Sequence, residues 1–309
     1  MSTSMSDSPT APRSPDSLFD RTMDGLRRMM PLRYRSDVPI VPVVRLSGII
    51  GFSTPLRPGL TLASCARSLD RAFGLKQARA VAIVINSPGG SAVQSHLIFR
   101  RIRQLAAEKE KTVIAFVEDV AASGGYMIAC AADEIVCDPA SIVGSIGVVG
   151  GSFGFHGLIE KLGIERRLYT SGEHKAMLDP FLPENPDDVA RLKAIQRTIH
   201  DMFIDLVKER RGALLVGPED DLFSGAYWTG TTAQEYGLVD HIGDLRSVLR
   251  ARYGEKVAMP LIAAERGLFG RRLPGIGQAA ESAGHLVPGL ADDLISALEA
   301  RAMWGRYGL

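Results

Sequence analysis

With 309 residues, 46% of them hydrophobic and 23% charged, the chain can bury one sizeable core. Its 36 basic and 35 acidic residues leave a formal charge of +1, so composition lends nucleic-acid binding no support. Three cysteines, Cys65, Cys130 and Cys137, lie in apolar runs and are odd in number, which excludes a closed disulfide framework and fits free buried thiols in a reducing cytoplasm. Taken in chain order, residues 1–16 are rich in Ser, Pro and Asp and are expected to form a disordered tail. Residues 17–39 place Leu18, Phe19, Met23, Leu26, Met29 and Met30 among Arg21, Arg27 and Arg28, the pattern of a short basic amphipathic helix. Such a helix suits a peripheral membrane contact, and equally packing on the domain or on a neighbouring subunit. No apolar run approaches eighteen residues and no secretory signal is visible, so the expected location is cytoplasmic, with the membrane touched only at its surface.

The central part alternates strand and helix patterns. Ala80 to Ile85 reads as a buried strand that ends in Asn86-Ser87-Pro88-Gly89-Gly90-Ser91, and an amphipathic stretch with Leu97, Ile98, Ile102 and Leu105 follows. Thr112 to Val117 reads as a second buried strand, Glu118 to Ala122 as a turn, and Gly124 to Ala132 as a tightly packed helix. Ser123 therefore stands at a strand-to-helix junction, where free N–H groups and the positive helix end favour developing negative charge. The plainer reading is that Ser123 only caps the helix and the glycines only permit packing. A glycine N–H in the Ser87–Gly90 turn is likewise either an oxyanion donor or part of an ordinary β-to-α turn.

Lys175 lies in Ser171-Gly172-Glu173-His174-Lys175. An uncharged lysine amine can take a serine proton without histidine or aspartate, but it needs a dry, apolar site, for which Ala176, Met177, Leu178 and Phe181 are candidate walls. His96, His156, His200, His241 and His285 show no close pairing or ligand spacing, and all six histidines read as structural or exposed, with a modulating role or the part of an alternative base left open for His174 beside the lysine. Asn185-Pro186-Asp187-Asp188 opens a long helix with Val189, Leu192, Ile195, Ile199, Phe203, Leu206 and Val207 on one apolar face up to Gly212. From Met259 onward the chain reads as an irregular tail closed by a helical pattern over Asp292 to Trp304.

Four ordered motifs, Asn86-Ser-Pro-Gly-Gly90, Ala122-Ser-Gly-Gly-Tyr126, Gly144-Ser-Ile-Gly147 and Ser171-Gly-x-x-Lys175, resemble the signal peptide peptidase A (protease IV) family of serine-lysine peptidases, family S49. The segments Phe223 to Gly230 and Ala233 to Gly243 are similar to that family's C-terminal consensus. The resemblance implies Ser123 as nucleophile, Lys175 as general base and Ser145 as the residue that orients the lysine, with an oxyanion hole from the backbone N–H groups of Gly90 and Ser123. It implies an α/β fold, the crotonase-like (ClpP-like) spiral of ββα units, here with a helical C-terminal extension, and a peptidase domain over residues 40–258 flanked by the tail 259–309. The best-known relatives carry a membrane anchor that this sequence lacks, and some carry two tandem copies where this chain has one. In that family serine and lysine can come from neighbouring protomers, so the expected assembly is a homo-oligomeric ring with shared sites.

The expected activity is an ATP-independent serine endopeptidase that hydrolyses unfolded or signal-derived peptides through an acyl-enzyme. Peptide or unfolded protein is the expected partner, and no metal, nucleotide or organic cofactor is indicated. Two other classes stay open. A crotonase-type acyl-CoA hydratase or isomerase would hold a thioester oxyanion with similar glycine N–H groups, and an inactive scaffold would bind peptides without cutting them.

Overall fold

The computed structural model describes residues 38–51, 59–263, 298 and 301–309. The expected N-terminal tail and amphipathic segment lie outside the described residues, as does most of the expected C-terminal helix, of which residue 298 and residues 301–305 are described and helical.

A mostly parallel sheet of seven strands carries the fold. β1 (Val43–Ser47), β2 (Ala80–Ser87), β3 (Thr112–Ala122), β4 (Glu134–Cys137) and β7 (His241–Ile242) lie side by side in that order, all parallel. β3 is shared: Ile114 to Val117 pair with β4, whereas Val120 to Ala122 pair with β5 (Ile142–Gly144), which in turn carries the antiparallel β6 (Tyr227–Thr229). Between the two halves the register against β2 jumps from Ile85 opposite Val117 to Ser87 opposite Ala121. Glu118 and Asp119 make up that irregularity, so the strand runs on through the residues read from sequence as a turn. The charged pair Arg45–Glu118 and a 2.6 Å hydrogen bond from Asn86 to Asp119 hold the irregularity on its outer side.

Alternation along the strands explains why both faces are buried. Val81, Ile83 and Ile85 of β2 join the larger core with Val113, Ala115 and Val117 of β3, while Ala80, Ala82 and Val84 face the smaller core with Ile114 and Phe116. The larger core is closed by α1 (Leu62–Gly74), α2 (Ala92–Lys109) and α3 (Gly124–Ala129). Burying one of its large side chains, such as Phe73 or Ile83 at 1% exposure, contributes about 1.5–3 kcal/mol. α2 turns Ile98, Ile102 and Leu105 inward as its pattern indicates, but Leu97 is 38% exposed and Phe99 takes the inward place. On the other face, Leu245, Val248 and Leu249, from the helix Leu245–Tyr253, cover the smaller core.

Beyond β5 the chain leaves the sheet, and α4 (His156–Lys161) buries no residue. α5 (Pro186–Arg211) starts as its sequence predicts, with the Asn185 side chain accepting from the Asp187 N–H at 2.9 Å and Pro186 in the first turn. Its apolar face is only half used: Phe203, Leu206 and Val207 are buried, whereas Ile195 is 51% exposed. The C-terminal half packs on the core, and the N-terminal half runs out beside the segment that carries Lys175. α6 (Glu219–Leu222), α7 (Gly230–Glu235) and α8 (Leu245–Tyr253) complete the fold.

Candidate active site

Ser123 sits between β3 and α3 with φ 52° and ψ −122°. A non-glycine residue at positive φ costs on the order of 1–3 kcal/mol and persists only where its surroundings fix it. Here the Ser123 N–H donates to the Gly144 carbonyl at 2.8 Å, and the Ser123 carbonyl accepts from the Met127 N–H at 3.0 Å. Its hydroxyl makes no capping bond to the helix, so the capping reading of this serine fails and the side chain is left for the cleft. The glycines that follow do serve packing: a Cβ on Gly124 would run into Ser95, and one on Gly125 would press on the Ser87 carbonyl.

Three residues on, Tyr126 is fully buried and its phenol donates to the Leu238 carbonyl at 2.8 Å. Around that bond the buried Arg211, at the end of α5, donates from Nε to the Gly237 carbonyl at 2.9 Å and forms a two-pronged pair with Asp240 at 2.8 and 3.0 Å. Burial pushes the Tyr126 phenol well above its ordinary value and the neighbouring Cys130 thiol up to about 12, so neither titrates near neutrality. Cys65 and Cys137 are also buried and free, as their apolar settings suggest.

The second glycine turn lies alongside. The Ile50 N–H donates to the Gly89 carbonyl and the Ser91 N–H donates to the Ile50 carbonyl, both at 2.8 Å. This pairing leaves the Gly90 amide on the opposite side of its chain, away from Ile50. Gly90 has φ 140° and a Cβ there would strike the Ile50 backbone, so only glycine fits. Ser145 completes the group at φ 54°, with its N–H donating to the Ala226 carbonyl at 2.6 Å.

Gly90, Ser123 and Ser145 line one cleft of about 720 Å³, together with Gly124, Met127 and Phe203. Three of the four residues predicted for catalysis are thus gathered by the fold. The oxyanion expectation meets one difference: the Ser123 N–H is engaged by Gly144, whereas Gly124, first residue of α3, has no backbone acceptor for its N–H among the described residues. Among the described residues the Gly90 and Gly124 N–H groups at the cleft have no backbone acceptor.

Lys175 stands apart. It is exposed, does not line the cleft, and belongs to an arm over residues 148–184 that carries Phe153 at 78% exposure, Leu162 at 64% and Tyr169 at 90%. The arm is tied to itself: Phe155 stacks on Phe181 at 5.6 Å, the Phe155 N–H donates to the Pro180 carbonyl at 2.6 Å, and Arg166 pairs with Asp179 at 2.9 Å. The Phe181 N–H and then Arg166 hold the Asp179 carboxyl below its ordinary value. Ala176, Met177, Leu178 and Phe181 are half-buried, and Lys175 beside them is exposed. His174 is exposed, and no cluster of His, Cys, Asp and Glu among the described residues could hold a metal ion.

The cleft also contains residues that sequence reasoning did not single out. Tyr227 of β6 and Met303, Arg306 and Tyr307 near the chain's end form its outer wall. Tyr227 falls inside the Phe223–Gly230 motif, so its neighbourhood was marked although its role was not. Nothing local in residues 301–309 signals contact with Ser145, 162 positions before Tyr307.

Residues 106–257 match the family model described as peptidase family S49. A protein of Brucella abortus (strain 2308) named "Na(+)/H(+) antiporter NhaA" is 57% identical over 287 residues, covering 92% of this chain and 39% of that protein. "Serine protease SPPA, chloroplastic" of Arabidopsis thaliana is 32% identical over 227 residues, covering 71% of this chain and 33% of that protein. "Probable protease SohB" of Buchnera aphidicola subsp. Acyrthosiphon pisum is 38% identical over 174 residues, covering 56% and 48%. The chain thus spans half or less of the length of these relatives. The transport in the Brucella name is a property of a protein of which this chain covers 39%, and no helix among the described residues is long and apolar enough to cross a membrane. With the S49 match lying across β3, Ser123 and α3, the chain belongs to peptidase family S49, a family of serine peptidases.

Proposed function

We propose that this chain is an ATP-independent serine endopeptidase whose site is completed between copies. Ser123 Oγ attacks the carbonyl of a peptide bond and its proton passes to the uncharged Lys175 amine of a neighbouring copy. The N–H groups of Gly90 and Gly124 stabilise the oxyanion of the tetrahedral intermediate, a contribution of about 3–4 kcal/mol for a donor of this kind. Collapse expels the amine, which takes the proton back from the lysine, and leaves an acyl-Ser123 ester that water hydrolyses. Ser145 accepts a hydrogen bond from the lysine and orients it.

One observation carries this reading: a serine with an uncapped hydroxyl, held at positive φ in the floor of a cleft that two free glycine amides share. The shared site is supported by the exposed lysine on an arm with unburied apolar side chains, because docking that arm on a second copy would supply the dry setting an uncharged lysine needs. A ring of copies with the crotonase-like spiral as its protomer fits the division of β3 between β4 and β5. Unfolded or signal-derived peptides are the proposed substrates, since the cleft walls are apolar at Met127, Ile199 and Phe203. Free buried thiols support a cytoplasmic location.

The test is hydrolysis of unfolded casein by the full chain, by Ser123→Ala, by Lys175→Ala, and by the two variants mixed. Each variant alone is expected to lose at least about a thousandfold in rate. The mixture, after dissociation and reassembly, regains part of it because some sites then join an intact serine to an intact lysine. Full activity in either single variant would sink the dyad, and a mixture as silent as its parts would place both groups within one copy.

A further inference from the structure

Met303, Arg306 and Tyr307 wall off part of the cleft from within the chain. Tyr227 Oη donates to the main-chain carbonyl of Arg306 at 2.9 Å, and its ring meets the Tyr307 ring edge-on with centroids 5.0 Å apart. The Tyr307 hydroxyl in turn lies 3.4 Å from Ser145 Oγ and 3.5 Å from the Pro88 carbonyl. Residues 301–305 are helical and 306–308 form a turn, so what enters the cleft is a helix end and not an extended strand.

Each contact has a chemical sense. A phenol that donates to a backbone carbonyl grips any peptide, whatever its side chains, while an edge-on ring contact favours an aromatic residue at the next position. Tyr227 pairs across the ladder with Gly144, the residue whose carbonyl holds the Ser123 N–H, so the grip stands one strand away from the nucleophile. Tyr227 is 45% exposed even with the segment in place, so the phenol can be reached from solvent. The turn at 306–308 folds back on the helix, with the Tyr307 N–H donating to the Trp304 carbonyl at 3.0 Å, and presents no extended strand to the cleft, which lets the segment sit there without being a good substrate. Tyr307 also covers the Ser145 hydroxyl, the group assigned above to the incoming lysine.

We infer that Tyr227 is a binding residue for peptide main chain in this cleft, and that residues 303–307 hold its place until a substrate displaces them. The inference rests on the peptidase reading for the word substrate, but its test reads binding alone.

Fluorescein-labelled unfolded casein is titrated, by anisotropy, onto the full chain carrying Ser123→Ala, then Ser123→Ala with Tyr307→Ala, then both with Tyr227→Phe. Removing the Tyr307 side chain frees the cleft, so casein binds at least about fivefold more tightly in the second protein than in the first. Removing the Tyr227 hydroxyl from that opened cleft weakens binding by about fivefold. Tyr307→Phe, which keeps the ring and loses only the contacts to Ser145 and Pro88, gives a smaller gain and guards against a variant that fails to fold. No gain on opening would overturn the occupancy, and no loss from Tyr227→Phe would overturn the grip. If both shifts appear while the parent chain hydrolyses no casein, the inference stands and the peptidase reading falls.

Discussion

Core and arm treat apolar side chains in opposite ways. In the sheet and the helices around Ser123, Ile83, Val113, Tyr126 and Val143 are at or below 1% exposure, and backbone groups are paired across several elements. In the arm over residues 148–184, Phe153, Leu162 and Tyr169 face solvent although the arm keeps its own ring stack and ion pair. Ser123, the proposed nucleophile, thus sits among buried side chains, and Lys175, the proposed base, among exposed ones. Unburied large side chains gathered on one surface are what the proposed contact with a neighbouring copy would cover.

The sharpest way to break the core side of this contrast is Asp240→Ala. It strands the buried Arg211 charge and is expected to destabilise the protein by about 3–5 kcal/mol, read from denaturant midpoints. A change under about 1 kcal/mol would mean the core is not pinned there. Gly90→Ala comes next: the Cβ collides with Ile50 and the backbone is held at φ 140°, so hydrolysis should fall about a hundredfold with a smaller loss of stability. Retained rate would remove Gly90 from the oxyanion hole.

On the arm, Leu162→Ser is expected to leave protomer stability within about 0.5 kcal/mol, since the side chain is already 64% exposed, while lowering the assembled mass seen by light scattering. A large drop in stability with unchanged mass would show that the arm folds back on its own chain. The smallest effect concerns Asp179. Its folded carboxyl lies below the ordinary 3.8, so its contribution is present above that value and fades as pH falls through the lower folded one. Protection of the Phe181 amide should decline in that acid range, and Asp179→Asn should flatten the decline; an unchanged pH profile in that variant would assign the order of this loop to other contacts.

Much of the core was legible because its signals are local. The β-branched run Ala80 to Ile85, the Asn185-Pro186 start of α5 and the Ser123 junction each depend on residues within a few positions. What could not be read depends on distant partners. Glu118 to Ala122 look like a turn because two charges interrupt the run, yet pairing with β5 keeps Val120 to Ala122 extended. The commitment of the Ser123 amide to Gly144 is a contact across 21 positions, and Tyr307 reaches Ser145 across 162. The apolar face of α5 was correctly seen as continuous, but periodicity does not say which stretch of it a single copy buries.

The bond from Tyr126 to the Leu238 carbonyl spans 112 residues, and it bears on the order in which a growing chain acquires its parts. When Ser123 leaves the ribosome, the carbonyl that anchors its helix and the Asp240–Arg211 pair beside it have not yet been made. At typical elongation rates the delay is on the order of ten seconds. Until Leu238 to Asp240 have been made, the helix that follows Ser123 therefore lacks this anchor, and under the proposed function that delay keeps the cleft unfinished while the strands around it are already in place.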